Sequence, residues 1–316
     1  MYIVKRGRRR IQLSTKKIYT ILMFVMFVWG INYSWMKIIV ANGDALTLQG
    51  VRVFVGALTV FVLLAILRQK IWVKKMPWKF IVLGSFFGVV CHHGLFAYGI
   101  GQTTAMKATI IGGLSPLLTA FVAVLFRDTV MTGQKLLGFL LGGAGVLIAV
   151  MTSFSELFHW QRGDFFLFLS FFLQSFSFIA IRKATRHLKP IVVTAWMLLI
   201  GSLSLMLIAL IIEPSHFTVF TTMESNVWMY FFLSAVFSTG VAHTLYNLSI
   251  KNIGAAETAI FANFSTLFGL VCSAIILGEV LTRQQLIGCF VIIIGVLVGT
   301  GNMEKWIRKR HAKKQA

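Results

Sequence analysis

Two histidines, His93 and His243, stand 150 positions apart inside long apolar stretches. An imidazole titrates near neutral pH, and a buried polar ring costs free energy unless it finds a partner. The pair therefore offers proton handling and anion binding, or else plain hydrogen-bonded helix packing. Trp29, Asn32, Tyr33 and Met36 recur at helical spacing on one stripe, and Gln174 and Asn263 fall midway along two other apolar stretches. These side chains suit a small polar solute, and they equally suit interhelical hydrogen bonds, worth only about 0.6 kcal/mol each on average. Lys107 and Glu257 complete the set, 150 positions apart and opposite in charge. Lys107 could draw in an anionic solute or snorkel to the membrane interface.

Other chemistries fit less well. His92 precedes His93 and points about 100° away on a helix, so the two are not expected to face one cavity squarely. For the same reason Cys91, His92 and His93 diverge and make no zinc site. The cysteines are three, Cys91, Cys272 and Cys289, all in apolar segments, which gives no disulfide framework. Gly113-Leu114-Ser115 faintly resembles an intramembrane serine nucleophile with His93 or His243 as its base. The same serine recurs as Ser265, which favours structural use. No Walker loop and no mid-membrane carboxylate pair occurs. No catalytic residue, cofactor or metal is expected, and an intramembrane enzyme or a channel-like protein is the alternative to a carrier.

The elements that position these residues are membrane helices. Of 316 residues 58% are hydrophobic and 12% charged, with mean hydropathy +0.84. That charge content is about half of what a soluble domain carries, so lipid must solvate much of the chain. Runs such as 117–126 are continuously apolar rather than alternating, which excludes a β-barrel. Spans of about 20 residues are expected at 18–40, 46–67, 79–99, 105–126, 134–152, 164–182, 191–212, 227–249, 255–277 and 284–302. The fold class is all-α integral membrane, with ten transmembrane helices. The first span, although it follows a basic tail, is read as retained rather than as a signal peptide.

With a cytoplasmic N-terminus, 25 of the 30 Lys and Arg fall in inside segments, two (Arg162 and Arg283) outside, and Lys37, Arg52 and Lys107 within spans. One missed helix would invert every later loop, so the positive-inside rule supports ten spans with both termini cytoplasmic. The net charge of +21 is thus topology and anionic-lipid contact, and nucleic acid is not an expected partner.

Residues 78–147 align with 228–297 without a gap. His93 meets His243, Trp78 meets Trp228, Ser115 meets Ser265, and Gly138 and Gly145 meet Gly288 and Gly295. A weaker shift near 145 lays Trp29 over Gln174 and Lys37 over Arg182. The repeat gives five spans per half, 18–152 and 164–302, between basic tails 1–17 and 303–316. Five is odd, so the copies form an inverted pair, an architecture common among secondary transporters with a solute site at the repeat interface. The inversion puts His93 and His243 at mirrored depths, one on each side of the midplane. Gly84-x-x-x-Gly88, Gly138-x-x-x-Gly142 and Gly295-x-x-x-Gly299 read as close packing within the chain or as a homodimer face.

Trp29-Gly30-Ile31-Asn32, Arg52, Ser115-Pro116 and Gly278-Glu279 followed by Gln284, Gly288 and Gly295 are similar to patterns of the drug/metabolite transporter superfamily. The chain resembles its EamA-type ten-helix members with two EamA repeats, over about 18–302. It departs at Thr266, where a Pro is expected, and at Arg127-Asp128-Thr129, which replaces a Gly-Glu. The resemblance implies transport, often export, of metabolites such as amino acids, and a central cavity lined by helices 1, 3, 4, 6, 8 and 9. A bacterial cytoplasmic membrane is the expected location, a small-molecule solute and membrane lipid the partners, with proton coupling through the histidines as a further option.

Overall fold

The computed structural model describes residues 14–126, 132–150, 161–213, 218–259 and 261–299. Most of the two basic tails and Arg127-Asp128-Thr129 lie outside the described residues. The described residues are mainly helical, with no strand among them. The main segments are α1 (Thr15–Val40), α2 (Ala45–Ile66), α3 (Trp78–Gly101), α4 (Ala105–Leu125), α5 (Gly133–Val150), α6 (Arg162–Ala184), α7 (Pro190–Ile212), α8 (225–253), α9 (Ala255–Ala259 and Ala262–Leu277) and α10 (Arg283–Gly299). A short helix, Val219–Thr222, precedes α8. Among the described residues six, α1 to α4, α6 and α7, are long and apolar enough to cross a membrane. Shorter apolar helices run through Leu136–Gly145, Ala262–Leu277 and Arg283–Gly295.

Polar residues at the helix ends set the boundaries. Ser14 and Thr104 each accept a backbone N–H from the third residue on, which satisfies donors that a helix start leaves open. Gln161 and Asp164 form a reciprocal capping box at the start of α6. Gly278 closes α9 at φ 66°, a left-handed conformation that a side chain would strain.

The two halves pack as exchanged partners. α1 lies against α8 and α9, while α6, its counterpart, lies against α3 and α4. α2 packs on α8 as α7 packs on α3, and the equivalent pairs α2–α7 and α5–α10 meet each other. This is the pattern a pseudo-two-fold axis produces. The glycine stripes are used inside the chain. A Cβ on Gly288 would lie 2.5 Å from the carbonyl of Gly145, and one on Gly295 would lie 2.6 Å from the amide of Gly142. A Cβ on Gly84 or Gly88 would press on Met197 or Ser177. The surface is rich in exposed apolar side chains over a core that is itself mostly apolar, with polar and charged groups buried among it. Ile211 is 85% exposed and Ile275 77%, whereas Arg52 is 1% exposed. The protein is an all-α membrane protein.

Candidate functional site

A cavity of about 70 Å³ opens where the halves meet. Its walls come in repeat-related pairs: His93 and His243, Phe96 and Tyr246, Gly112 and Ala262, Ser115 and Ser265. The weaker shift of 145 supplies two more, Trp29 with Gln174 and Tyr33 with Phe178. The cavity therefore sits on the axis that relates the halves. Helices 1, 3, 4, 6, 8 and 9 line it, as the resemblance implied, and α2 joins them through Arg52.

Two interruptions in helical winding build the polar wall. α3 is π-helical over Phe86–Cys91 and α8 over Ser234–Ala242, at corresponding places, and each segment ends where the histidines begin. A π turn widens the helix and loosens its internal hydrogen bonding, a deformation frequent at functional sites. In α8 the groups so exposed are used. The carbonyl of Ser238 accepts from Trp29 Nε1 at 3.2 Å and from His243 Nδ1 at 3.0 Å. Ser234 Oγ accepts from Arg52 Nη1 at 2.6 Å and donates to Asn32 Oδ1. Thr239 Oγ1 accepts from Arg52 Nη1 at 2.8 Å.

These bonds fix the tautomers. Arg52 has only donors, so Gln49 Oε1 accepts from its Nε at 2.9 Å. Gln49 must then turn its Nε2 toward His93, 2.9 Å from Nδ1. His93 Nδ1 is an acceptor, and the ring's hydrogen sits on Nε2, which has no hydrogen-bond partner among the described residues. His243 is the opposite case: a carbonyl can only accept, so Nδ1 donates and Nε2 carries the lone pair. His92 matches His243. Ser170 gives its one hydroxyl hydrogen to the carbonyl of His92 at 2.9 Å, so His92 Nδ1 donates to Ser170 Oγ at 2.7 Å. One wall thus presents an N–H and two bare imidazole nitrogens.

Several expectations are revised. His93 and His243 both reach the cavity. Their ring centroids are 5.4 Å apart, because α3 and α8 bring them both to the axis. His92 shares the cavity with His93, its ring 5.0 Å away; the cavity is broad enough to receive two adjacent positions of one helix. Lys107 does not stand alone: its Nζ is 3.8 Å from Asp164 Oδ2, with the carboxylate fully buried while the lysine side chain keeps 18% exposure. Asn263 is buried but does not line the cavity, whose wall on α9 is made by Ala262 and Ser265. The side chain of Glu257 lies outside the described residues. Trp29, Asn32, Tyr33, Gln174, His93 and His243 all line the cavity. Ser115 lines it too, but the Nδ1 atoms of His93 and His243 are committed to Gln49 and to the Ser238 carbonyl rather than to this hydroxyl. Arg52, named from the sequence only as a charge within a span and as part of the family pattern, also lines the cavity, and a charge within an apolar span is a signal in itself.

Comparison with known proteins agrees with this geometry. The uncharacterized transporter YyaM of Bacillus subtilis is 27% identical over 251 residues, covering 78% of this chain and 80% of YyaM. The WAT1-related protein At3g02690, chloroplastic, of Arabidopsis thaliana is 21% identical over 286 residues, 88% of this chain and 68% of that protein. A solved crystal structure superposes with TM-score 0.69 at 16% identity, over 93% of this chain and 99% of that one, which speaks for the fold. The profile of the EamA-like transporter family matches twice, at residues 16–151 and 161–300, once on each side of the cavity. The chain belongs to the EamA-like transporter family.

Proposed function

We propose that this protein is a secondary transporter that exports small metabolites, such as amino acids or related compounds, across a bacterial cytoplasmic membrane through the cavity on its repeat axis. Ten spans with both termini cytoplasmic carry it, as an inverted pair of five. The observation that supports this reading is the pairing of the cavity walls. Six repeat-related pairs line one space, so two near-equivalent packings of the halves can expose it to either side in turn.

Proton coupling runs through His243 and His92 in this reading. Their Nε2 atoms accept a proton while Nδ1 keeps its bond. His93 accepts one only by displacing Gln49. The protein reconstituted in vesicles should exchange a labelled metabolite against its unlabelled form, and a pH step should drive net movement. A protein that moves no solute across a broad panel would overturn the transporter reading.

A further inference from the structure

Arg52 is the one charged side chain among the described cavity walls. It is 1% exposed, and no Asp or Glu lines the cavity with it. Its Nε and Nη1 are held by Gln49, Ser234 and Thr239, all neutral, while Nη2 has no hydrogen-bond partner among the described residues. A guanidinium keeps its charge in proteins. A buried charge is costly unless it is paired, so the fold holds a cation in place and leaves its counter-charge to be supplied. The second unpartnered donor, His93 Nε2–H, belongs to the same network, one glutamine away.

We propose that the cavity recognises a compact organic monoanion, bound by a carboxylate at Arg52 Nη2 with His93 Nε2–H as a second donor. This inference rests on the transporter reading above and narrows its substrate class from amino acids and related compounds to the anionic metabolites among them, with zwitterionic amino acids bound less well. A carboxylate is the flat, two-oxygen acceptor that guanidinium N–H groups fit best. A monoanion makes the occupied cavity neutral, whereas a zwitterion leaves one net positive charge buried and an amine leaves two. The cavity is small, about 70 Å³, and suits a compact anion. Around it stand the rings of Trp29, Tyr33, Phe96, Phe171, Phe178 and Tyr246, which suit a short apolar body.

The test is binding to the purified full chain, read as a shift in thermal unfolding and as competition with one another, by propionate, alanine, ethylamine and chloride. Propionate should protect at the lowest concentration, alanine at about tenfold or more above it, and ethylamine not at all. Arg52→Gln should abolish protection by propionate, and Arg52→Lys should restore part of it. If Arg52→Gln does not fold, the ligand series on the natural chain decides alone. Equal protection by alanine or ethylamine, or by chloride, overturns the proposal, as does undiminished propionate binding in a folded Arg52→Gln. Exchange of other solutes in vesicles with no carboxylate bound sinks this inference and leaves the transporter reading standing. Exchange of nothing sinks the transporter reading itself.

Discussion

The rings of His93 and His243, 150 residues apart in the chain, lie 5.4 Å apart on the axis of the fold and carry their hydrogens on opposite nitrogens. A gapless repeat makes the two positions equivalent, yet their partners differ. His93 takes a hydrogen from Gln49, and His243 gives one to the Ser238 carbonyl. Symmetry of position therefore comes with asymmetry of role.

The first prediction follows from that difference. His243→Gln should flatten the dependence of transport on pH, because the amide keeps a hydrogen bond but cannot titrate. His93→Gln should leave the shape of the pH profile unchanged and raise KM, since it removes a donor and not a proton acceptor. Initial rates of labelled solute exchange across a pH series would check both. A flattened profile in His93→Gln alone would show that the roles are reversed.

A second prediction concerns the link between α2 and the π-helical stretch of α8. Ser234 Oγ serves Arg52 and Asn32 at once. Ser234→Ala leaves the buried guanidinium hydrogen only the backbone carbonyl at that position, 3.4 Å from Nη1, a loss of about 1.5 kcal/mol or more. The unfolding temperature should fall in this variant. Thr239→Val, which removes the other hydroxyl acceptor of Nη1, should lower it as well, and an unchanged transition in both would mean that water or relaxation replaces these bonds.

Much of this was legible in the sequence, for physical reasons. Helix positions follow from runs of apolar residues, which the lipid requires, and six of the runs appear as helices long and apolar enough to span, with shorter apolar helices within three others. The polar stripe of α1 and the repeat mates His93 and His243 were visible because a polar group in hydrocarbon is rare. Two things were hidden. The π turns directly before His92 and His243 leave no signature in hydropathy. The partners of Lys107 and Arg52 were hidden too, because Asp164, Ser234 and Thr239 lie 57 to 187 residues away in sequence.

A third prediction tests the glycine contact between α5 and α10. A methyl on Gly288 would sit 2.4 Å from Ala149 Cβ and 2.5 Å from the Gly145 carbonyl. Two of its nearest neighbours are backbone atoms, so the helices themselves must move apart. Gly288→Ala should cost about 1–3 kcal/mol and lower the unfolding temperature, with the particle mass in light scattering unchanged. A change in mass with no loss of stability would assign this face to a homodimer instead.

A fourth prediction is topological. The loops after residues 70 and 187 are rich in Lys and Arg, and the connection at 218 is not. Reporters active only in the cytoplasm should work when fused after 70 and 187, and a reporter active only outside should work after 218. A signal from the wrong side at any one of these would break the count of ten spans, because each connection inverts the next.

The last prediction concerns how the cavity is closed on the face expected to be external. Around residues 100–107, side chains from α1, α6 and the α9–α10 connection converge on one connection. Lys37 Nζ donates to the carbonyls of Ile100, Gly101 and Thr103 at 2.7–3.1 Å. Glu279 accepts the amides of Ala105 and Met106 at 2.9 Å each. Asp164 takes the hydroxyl of Thr103 at 2.6 Å and faces Lys107. Each is a charged group against a helix end of favourable polarity or a polar partner, stronger than a neutral bond. Opening this face must break some of them. In a background lacking Cys91, Cys272 and Cys289, a cysteine in place of Ser115 reports access to the cavity. Glu279→Gln should speed its reaction with an impermeant thiol reagent added on that face by about tenfold, the equivalent of about 1.4 kcal/mol off the closed state. Lys37→Met should act in the same direction. Unchanged labelling in both variants, or faster labelling only from the opposite face, would show that these bonds anchor the fold and do not govern access.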